Sequence, residues 1–501
     1  MEISLPMCYD ECVGARALSR ESESPRFLFP QRESLCSFNE ALCQLIFFKE
    51  EYCMSYLESV IERVHERHAS EPEFCQTVEE VLGSLKPVID QHPEYERVDL
   101  LGRMVEPDRM FSFRVVWQDD EGQYHTNIGY RCQFNGALGP YKGGIRFHPT
   151  VNQSVIKFLG FEQCFKNSMT GLPIGGGKGG SDFDPRGRSD DEIMRFCQSF
   201  ISSLYHYIGP DTDVPAGDMG VGAREVGFMY GQYRRLKAKF ENGTFTGKGF
   251  SFGGSRVRPE ATGYGAVYYL LNVLDHFGED IKDKKIAVSG FGNVSWGICK
   301  KVQQLGGKVV TIAGPDGYIY DKDGINTEEK VNYMLEMRAS GRDKVQDYAD
   351  KFGVDFFPGE KPWINAEYDI AMPAAYQNEI TIEEAKAMVE KGLEYYIEVA
   401  NMPTTNEALN YLIENVKVVA PSKAVNAGGV AGSALEMSQN SARLSWPAEE
   451  VDKQLHMIMD NIYKMSVEAA EQYGLGYNLV AGANIAGFVR LADAMMAQGV
   501  F

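Results

Sequence analysis

Apolar positions in the first half of the chain follow both helical and strand spacing. From Met54 onward they recur every three or four residues, which predicts a helix with an apolar face of Tyr56, Leu57, Val60, Ile61 and Val64. Every second position is apolar from Phe111 to Trp117, a polar turn follows at 119–122, and a second extended run reaches Phe134. This pattern predicts a β-hairpin. Helical spacing returns at about 151–169 and 190–207, before a glycine-rich stretch, so the first half is mixed α/β.

The second half repeats short apolar strands separated by amphipathic helices. Strands are predicted at 284–289, 308–312, 368–372, 395–399 and 416–420, with helices near 294–305 and 327–339. Because parallel strands need long crossover connections, this alternation predicts a doubly wound, Rossmann-like sheet. The boundary between the two halves is expected in the glycine-containing region 250–260.

Composition limits the classes of protein and of partner. A chain of 501 residues exceeds what one hydrophobic core usually supports, so at least two domains are expected. With 44% hydrophobic and 24% charged residues, the chain can bury a large core. It has 50 Lys and Arg against 70 Asp and Glu, a formal net charge of −20, which excludes nucleic acid and anionic membranes as expected partners. An anionic substrate would therefore need a local cluster of cations.

Two further sequence patterns bear on the location of the protein and on the state of its cysteines. No apolar run approaches the roughly 20 residues of a membrane span, and no signal-like pattern opens the chain, so a cytoplasmic protein is expected. The ten cysteines form no zinc-binding spacing, so neither a metal site nor a disulfide framework is indicated, and free buried thiols are expected.

Residues 1–53 look foreign to the rest of the chain. They lack periodicity and contain five of the ten cysteines: Cys8, Cys12, Cys36, Cys43 and Cys53. This N-terminal extension is either a flexible, disordered arm or a segment ahead of the native start at Met54, and the sequence leaves both interpretations open.

A dinucleotide fingerprint follows the strand that ends at Ser289. The segment GFGNVSWG (290–297) has Gly290 and Gly292 at the first two glycine positions and Ser295 at the third. Gly290 would permit the tight turn, and Gly292 would let a pyrophosphate approach the N–H groups at the start of the next helix. A glycine-rich turn without a ligand is the alternative, but the strand before it and the helix after it favour the fingerprint.

A carboxylate after the next strand bears on the choice of cofactor. Asp316 lies where an acidic group would accept hydrogen bonds from the adenosine ribose, and an acid there disfavours a 2′-phosphate. The segment between Val309 and Asp321 contains no Arg or Lys, which favours NAD over NADP. The same aspartate could instead belong to an ordinary turn, because Pro-Asp-Gly is itself a turn sequence.

Three lysines in the first half have unusual neighbours. They are Lys142 in GPYKGG, Lys166 in EQCFKN and Lys178 in GGGKGG. Any one alone could be a solvated lysine, but glycines on both sides of two of them indicate that the backbone approaches something closely. Gln163 and Lys166 are three residues apart on a predicted helix, so together they could hold a carboxylate.

An aspartate follows in a Pro- and Gly-rich loop. Asp218 could cap a turn, or it could move protons to and from an amine. A lysine that is desolvated beside other cations has a lowered pKa and can stabilise negative charge on oxygen. We assign that role to Lys178.

Longer segments resemble one enzyme family, the small hexameric glutamate dehydrogenases within the Glu/Leu/Phe/Val dehydrogenases. The resemblance runs from about Met54 to the C-terminus. It is carried by GPYKGGIRFHP (139–149), PIGGGKGGSDFDP (173–185), DVPAGDMGVGARE (213–225), SFGGS with RPEATGYG (251–265), ANMPTT (400–405) and KAVNAGGV (423–430).

The resemblance implies a role for each matching residue. Lys178 matches the catalytic lysine and Asp218 the proton-shuttling aspartate. Gln163 and Lys166 match contacts of the substrate's α-carboxylate. The remaining matches are Lys142 and Ser433 at the distal carboxylate, the backbone of Gly217 at the substrate, Thr262 at the nicotinamide amide, Asn293 and Val294 at the pyrophosphate, and Asn426 near nicotinamide and substrate.

The resemblance also implies an architecture and a reaction. A substrate and oligomerisation domain would comprise 54–253 with 477–501 returning to it, and a dinucleotide-binding domain 254–476, separated by a cleft. The expected activity is reversible oxidative deamination of glutamate to 2-oxoglutarate and ammonia in a homohexamer. The segment GPDGYIYD (314–321) looks like NAD-linked members, although NADP remains an alternative. Two rival hypotheses are a dehydrogenase for another amino acid and a catalytically inactive nucleotide-binding protein.

Overall fold

The computed structural model describes residues 54–499. The N-terminal extension expected at 1–53, with its five cysteines, lies outside the described residues. The described chain begins with a run of helices: α1 Tyr56–Arg67, α2 Pro72–Gly83, α3 Lys86–Ile89, α4 Pro93–Arg97 and α5 Leu100–Met104. Helix α1 is the helix predicted from the apolar pattern after Met54, and it buries Leu57, Val60 and Val64.

The first sheet contains the predicted hairpin. Its elements and the helices between them are β1 Arg109–Gln118, β2 Tyr124–Asn135, β3 Tyr141–Phe147, α6 Gln153–Met169, β4 Gly175–Ser181, α7 Asp190–Leu204, β5 Asp213–Gly217 and α8 Ala223–Lys237. In the described chain the strand order is β1-β2-β4-β3-β5. Strands β1 and β2 are antiparallel, and their register closes on the turn where Gln118 faces Tyr124. Strand β3 runs parallel to both β4 and β5.

Glycine in the middle of this sheet lets two backbones come unusually close. Strand β4 reads GGGKGGS and is buried along its whole length. A Cβ added to Gly143 of β3 would lie 1.5 Å from the carbonyl oxygen of Gly177 on β4, so this contact could not tolerate a side chain at position 143. The sequence pattern predicted no strand at 175–181, and glycine normally weakens a strand. The close approach explains why it is nevertheless a strand.

The second sheet is the predicted doubly wound sheet. Its elements are α9 Ala261–His276, β6 Lys285–Val288, α10 Asn293–Gln304, β7 Lys308–Gly314, β8 Gly317–Tyr320, α11 Glu328–Ala339, α12 Gln346–Phe352, β9 Asp355–Pro358, α13 Pro362–Asn365, β10 Ile370–Met372, α14 Ile382–Glu390, β11 Tyr395–Ile397, α15 Asn406–Asn415 and β12 Val418–Ala420. The order is β12-β11-β10-β6-β7-β8-β9 in the described chain. The five predicted strands are parallel, as expected. Strands β8 and β9 were not predicted and extend the edge in antiparallel fashion.

Four helices complete the described chain and return it to the first sheet. They are α16 Ser422–Val425, α17 Gly428–Ala442, α18 Ala448–Gln472 and α19 Leu479–Ala497. Residues of α19, among them Ile485 and Phe488, share one apolar core with Phe134 of β2 and Phe161 of α6. The exact domain bounds expected from the sequence stay a prediction.

Helix α19 also corrects one sequence expectation. It is 19 residues long with a mean hydropathy of 1.3, which is long and apolar enough to cross a membrane, and it is the one such helix among the described residues. Half of that stretch is buried inside the protein, as in a core helix. The five cysteines among the described residues, Cys75, Cys132, Cys164, Cys197 and Cys299, are free and buried.

Candidate active site

Most of the predicted site residues line one cavity, which we call the lysine cavity. It has a volume of about 450 Å³ and lies where the first sheet faces the helices and loops of the second. Its lining includes Lys142, Gln163, Lys166, Lys178, Gly217, Asp218, Thr262, Val294, Asn426 and Ser433. The structure therefore brings together residues from both halves of the sequence. A wider cavity of about 1140 Å³ continues from Asp218 and Thr262 along the linker at 247–260.

The lysine and the aspartate assigned to the chemistry are in direct contact. Lys178 is on β4 and only 7% exposed, and its Nζ forms an ion pair with Oδ2 of Asp218, which follows β5 directly. The backbone N–H of Met219 donates to the other carboxylate oxygen at 2.7 Å, and Arg146 Nε lies 3.6 Å from Oδ2. Burial alone would raise the pKa of Asp218, but Lys178 and Arg146 hold that pKa at about 2. The carboxylate is therefore ionised.

A second group of polar residues surrounds Lys142. Its side chain is 2% exposed, and burial, with Arg258 and Arg131 nearby, lowers its pKa well below the usual value. Arg258 Nε donates to Ser433 Oγ at 3.1 Å, so the arginine lies beside the serine predicted to contact a distal carboxylate. Arg258 lines the same cavity. Sequence reasoning missed it, although it opens the quoted segment RPEATGYG.

Gln163 and Lys166 share the cavity-facing side of α6, as predicted. Burial and the neighbouring Lys178 lower the pKa of Lys166 to about 8. Gln163 Nε2 donates to Asn167 Oδ1 at 2.6 Å, and the buried Asn167 amide donates in turn to the carbonyls of Lys142 (3.0 Å) and Gly175 (2.5 Å). Asn167 thus joins the helix to the two lysine-bearing strands. Nothing in the sequence pattern singled it out.

A fully buried ion pair links the strands that carry these residues. Arg131 of β2 and Asp213 of β5 are both 0% exposed, and Arg131 Nε donates to Asp213 Oδ2 at 2.9 Å. The same guanidinium donates to the carbonyl of Gly143 at 3.1 Å, next to Lys142. Gln133 Nε2 also donates to Asp213, at 3.1 Å. The pair therefore fixes β2, β3 and β5 relative to one another.

Asn426 presents an acceptor without a partner. Its Nδ2 donates to the carbonyl of Val399 at 3.0 Å and to Asn401 Oδ1 at 2.9 Å, which fixes the amide. Its buried Oδ1 has no hydrogen-bond partner among the described residues. Because a buried acceptor left unpaired is costly, this oxygen fits a ligand that donates an N–H, such as a carboxamide or an amine. Thr262, in the first turn of α9, lines the same cavity.

The predicted fingerprint forms a second cavity, which we call the glycine-turn cavity, of about 780 Å³. Gly290 has φ +75°, a conformation that favours glycine, and Gly292 is the N-cap of α10. Ser295 Oγ donates to the carbonyl of Ser289 at 2.8 Å, so the serine at the third fingerprint position holds the helix to the strand. The free N–H groups at the start of α10 open onto this cavity beside Asn293 and Val294, an arrangement that suits a pyrophosphate. The residues present therefore fit a dinucleotide.

Two cations reach the glycine-turn cavity from sequence-distant elements. They are Arg338, at the end of α11, and Lys361. Arg338 Nη1 donates to Asn293 Oδ1 at 2.5 Å, directly at the fingerprint turn. Both lie outside the segment 309–321, whose lack of Arg and Lys favoured NAD, so the local sequence did not indicate them.

The carboxylate of Asp316 is hydrogen-bonded to a later segment of the chain. Its two carboxylate oxygens accept hydrogen bonds from the N–H groups of Val345 (3.0 Å) and Gln346 (3.1 Å), where α12 begins. Its neighbours Gly314 and Pro315 line the glycine-turn cavity, but Asp316 is not part of that lining. This geometry favours the turn interpretation, and the ribose contact stays a prediction.

The fold and the site define a two-domain α/β dehydrogenase with a dinucleotide turn beside a cationic substrate cavity. A family model described as Glutamate/Leucine/Phenylalanine/Valine dehydrogenase matches residues 253–499, and one described as Glu/Leu/Phe/Val dehydrogenase, dimerisation domain, matches 107–235. The chain belongs to this dehydrogenase family.

Named relatives cover nearly the whole described chain. The NAD-specific glutamate dehydrogenase of Clostridium symbiosum is 66% identical over 446 residues, which are 89% of this chain and 99% of that protein. The NADP-specific glutamate dehydrogenase of Salmonella typhimurium is 52% identical over 447 residues, 89% and 98% of the two chains. A solved glutamate dehydrogenase superimposes with a TM-score of 0.87 at 66% identity, covering 89% and 99%. The Plasmodium falciparum glutamate dehydrogenase structure gives 0.86 at 46% identity, covering 89% and 95%.

Proposed function

We propose that this protein is a glutamate dehydrogenase that interconverts L-glutamate, water and NAD with 2-oxoglutarate, ammonia and NADH. The observation that carries the proposal is the grouping of charges in the lysine cavity. Arg258 donates to Ser433 and lines the cavity together with Lys142, and the same lining contains Gln163, Lys166 and the Lys178–Asp218 pair. A substrate with two carboxylates and one amine matches this set of groups.

Each residue has a defined part in the proposed mechanism. Lys142, Arg258 and Ser433 bind the distal carboxylate, and Gln163 and Lys166 bind the α-carboxylate, which fixes the Cα of the substrate. A bound nicotinamide supplies the hydride acceptor. Asn426 Oδ1, the unpaired acceptor, orients an N–H of the carboxamide or of the substrate amine.

The ion pair of Lys178 and Asp218 handles the proton transfers and the hydrogen bond to oxygen. Asp218 accepts a proton from the substrate ammonium and passes it to solvent, leaving a neutral amine whose lone pair assists loss of hydride from Cα. Water then adds to the iminium carbon and gives one proton to Asp218, and Lys178 donates a hydrogen bond to the oxygen of the resulting neutral carbinolamine. Asp218 gives that proton to the nitrogen, the C–N bond breaks with its electron pair going to ammonia, and the hydroxyl loses its proton to water as the carbonyl forms.

The cofactor, assembly and location are parts of the same proposal. NAD is supported by relatives of 66%, 56% and 55% identity that are named NAD-specific, while relatives named NADP-specific are 52% identical. The cations Arg338 and Lys361 in the glycine-turn cavity favour testing NADP as the second candidate. We further propose a cytoplasmic homohexamer, with 54–253 and 477–501 forming the substrate and oligomerisation domain and 254–476 the dinucleotide-binding domain.

One assay tests activity and cofactor together. Purified protein is supplied with NAD or NADP and with glutamate, leucine or phenylalanine, and reduction of the cofactor is followed by absorbance. We expect rapid turnover with glutamate and NAD only. A strong preference for NADP would reverse the cofactor proposal, and turnover with leucine or phenylalanine instead of glutamate would overturn the substrate proposal.

The variant Lys178→Ala tests the proposed chemistry. It should abolish glutamate oxidation, because the carbinolamine oxygen loses its cation, and it should leave NADH binding nearly intact, because the fingerprint turn is unchanged. NADH fluorescence titration measures the second property. A variant with near-normal turnover would refute the role of Lys178.

A further inference from the structure

A fully buried asparagine connects two of the residues proposed to bind carboxylates. Asn167 is 0% exposed and lies in the last turn of α6, one helical turn after Gln163. Its Nδ2 donates to two backbone carbonyls, that of Lys142 on β3 at 3.0 Å and that of Gly175 on β4 at 2.5 Å. Its Oδ1 accepts a hydrogen bond from Gln163 Nε2 at 2.6 Å. One side chain therefore contacts both strands and a glutamine that lines the lysine cavity.

The two carbonyls determine which way the amide of Asn167 is turned. A carbonyl oxygen can only accept a hydrogen bond, so the NH2 group of Asn167 must face Lys142 and Gly175. The opposite orientation would place Oδ1 against two acceptors and leave buried polar groups unpaired, which is costly. Oδ1 is therefore the atom that faces Gln163.

The orientation of Asn167 in turn determines that of the Gln163 amide. Because Oδ1 is an acceptor, Gln163 must present its NH2 group to it and not its carbonyl oxygen. This bond uses one N–H of Nε2, and the second N–H has no partner among the described residues. Since Gln163 lines the lysine cavity, the second N–H is available to an anionic group there.

Support of the two strands does not by itself require the contact with Gln163. The bonds from Nδ2 already satisfy both carbonyls, and side-chain pairs four residues apart stabilise a helix only slightly. A free glutamine side chain samples several rotamers, and ordering it before binding removes that cost from substrate binding. The contact between Asn167 and Gln163 is therefore better explained by ligand binding than by stability.

We propose that Asn167 is a positioning residue: it turns the amide of Gln163 so that an N–H, and not the carbonyl oxygen, faces the α-carboxylate of the substrate. This inference rests on the proposed function, in which Gln163 binds that carboxylate. Asn167 also holds the carbonyl of Lys142, so it links this glutamine to the strand whose lysine binds the distal carboxylate. In the described chain Asn167 does not itself line the cavity.

The variant Asn167→Ser tests the proposal. Serine keeps one donor for the carbonyls, but its hydroxyl is too close to the backbone to hold Gln163 as Oδ1 does. The KM for glutamate should rise about tenfold or more, because a hydrogen bond to a charged group contributes about that much to affinity. By contrast, kcat should change less than KM, because Asn167 forms no hydrogen bond with Lys178 or Asp218 among the described residues. An unchanged KM would overturn the proposal.

A double-mutant cycle separates the orientation of Gln163 from the support of the strands. The KM for glutamate is measured for Asn167→Ser, for Gln163→Met and for the variant that carries both. If Asn167 acts through Gln163, Asn167→Ser should raise KM about tenfold alone and less than about twofold beside Gln163→Met, since coupled residues are not additive. An equal rise in both backgrounds would overturn the proposal, because Asn167 would then act on the strands alone.

Loss of a buried donor can also destabilise the protein, so folding is measured separately as Tm. The KM itself does not depend on the fraction of protein that is inactive. If Asn167→Ser does not fold, Asn167→Thr takes its place in the cycle, because threonine keeps the hydroxyl and fills more of the space. The same pattern of KM values is expected, and an equal rise in both backgrounds would again overturn the proposal.

A matched control lies next to Asn167 on the same helix. Ser168 is 0% exposed, its Oγ has no hydrogen-bond partner among the described residues, and it does not line the lysine cavity. Ser168→Ala should leave the KM for glutamate within about twofold, because it removes no hydrogen bond. If it raised KM as much as Asn167→Ser does, general loosening of α6 would replace the explanation through Gln163.

The outcomes distinguish this inference from the proposed function. If the unmodified protein does not oxidise glutamate, the proposed function fails. If it does, but Gln163→Met leaves KM unchanged, the α-carboxylate contact assigned to Gln163 fails, and this inference fails with it. If Gln163→Met raises KM and Asn167→Ser does not, only the role of Asn167 fails.

Discussion

The substitution Gly143→Ala tests whether backbone contact between two strands sets the spacing of Lys142 and Lys178. Gly143 follows Lys142 on β3, and Gly177 precedes Lys178 on β4. The added Cβ would lie 1.5 Å from the carbonyl oxygen of Gly177, and both strands are buried at this point. Backbone cannot swing aside as a flexible side chain can, so the strands themselves must separate.

The size of the separation follows from the contact distance. Moving the Cβ from 1.5 Å to an ordinary contact at 3.4 Å requires a displacement of about 1.9 Å, shared between β3 and β4. A misplacement of about 1 Å at a catalytic site costs about 100-fold in rate. We therefore expect kcat/KM for glutamate to fall at least 100-fold. Overpacking should also lower the free energy of unfolding by about 1 to 3 kcal/mol or more.

Three measurements and one control define the test. They are glutamate oxidation with NAD, the urea midpoint, and NADH binding, which should survive because the glycine turn lies in the other sheet. The control is Gly231→Ala on α8, where no atom lies within 4 Å of the added Cβ. That change should keep full activity and stabilise the helix by about 0.5 to 1 kcal/mol. If Gly143→Ala kept activity within tenfold, the argument from strand spacing would be wrong.

Two further predictions concern the scaffold and the charges of the site. Asp213→Asn leaves Arg131 buried without a carboxylate and should lower the free energy of unfolding by about 3 to 5 kcal/mol; an unchanged urea midpoint would contradict this. Because burial and Lys178 lower the pKa of Lys166 to about 8, Lys166 is charged below that pH and loses its charge as the pH rises through it. The Kd for 2-oxoglutarate in the presence of NADH should therefore rise above about pH 8, and Lys166→Met should remove the part of that rise that is centred near pH 8. A flat profile in the unmodified protein would refute this role.

The spacing of apolar residues predicted the helices and strands whose structure depends on the packing of their side chains. The hairpin of β1 and β2, the helix α6 and the five parallel strands follow from apolar spacing, and their bounds differ from the expected ones by a few residues. Strand β4 could not be predicted in this way, because GGGKGGS has no apolar side chains to alternate. Its conformation is decided by close backbone neighbours on β2 and β3. The edge strands β8 and β9 pair with each other across about forty residues of sequence, which no local pattern reveals.

The candidate site was predicted where motifs are contiguous and missed where contacts join distant segments. Lys142, Lys178 and Asp218 each lie in a glycine-rich segment that can be recognised in the sequence alone. By contrast, Arg258 reaches Ser433 across 175 positions. Arg338 reaches Asn293 across 45 positions. Neither pair leaves a local signal, because the contact depends on how helices cross the sheets.

An acidic protein can still bind an anion in a cationic cavity, because exposed charges are screened by salt over a short distance. The lysine cavity is lined by five cationic side chains (Lys142, Arg146, Lys166, Lys178 and Arg258), while Asp218 is the one carboxylate in that lining among the described residues. The formal net charge of −20 is counted over the whole chain, and the influence of exposed charges is screened over about 8 to 10 Å at physiological salt. Charges inside a buried cavity are screened much less, so the local excess of cations determines what binds there. An anionic substrate is therefore attracted by the cavity even though the whole molecule repels it.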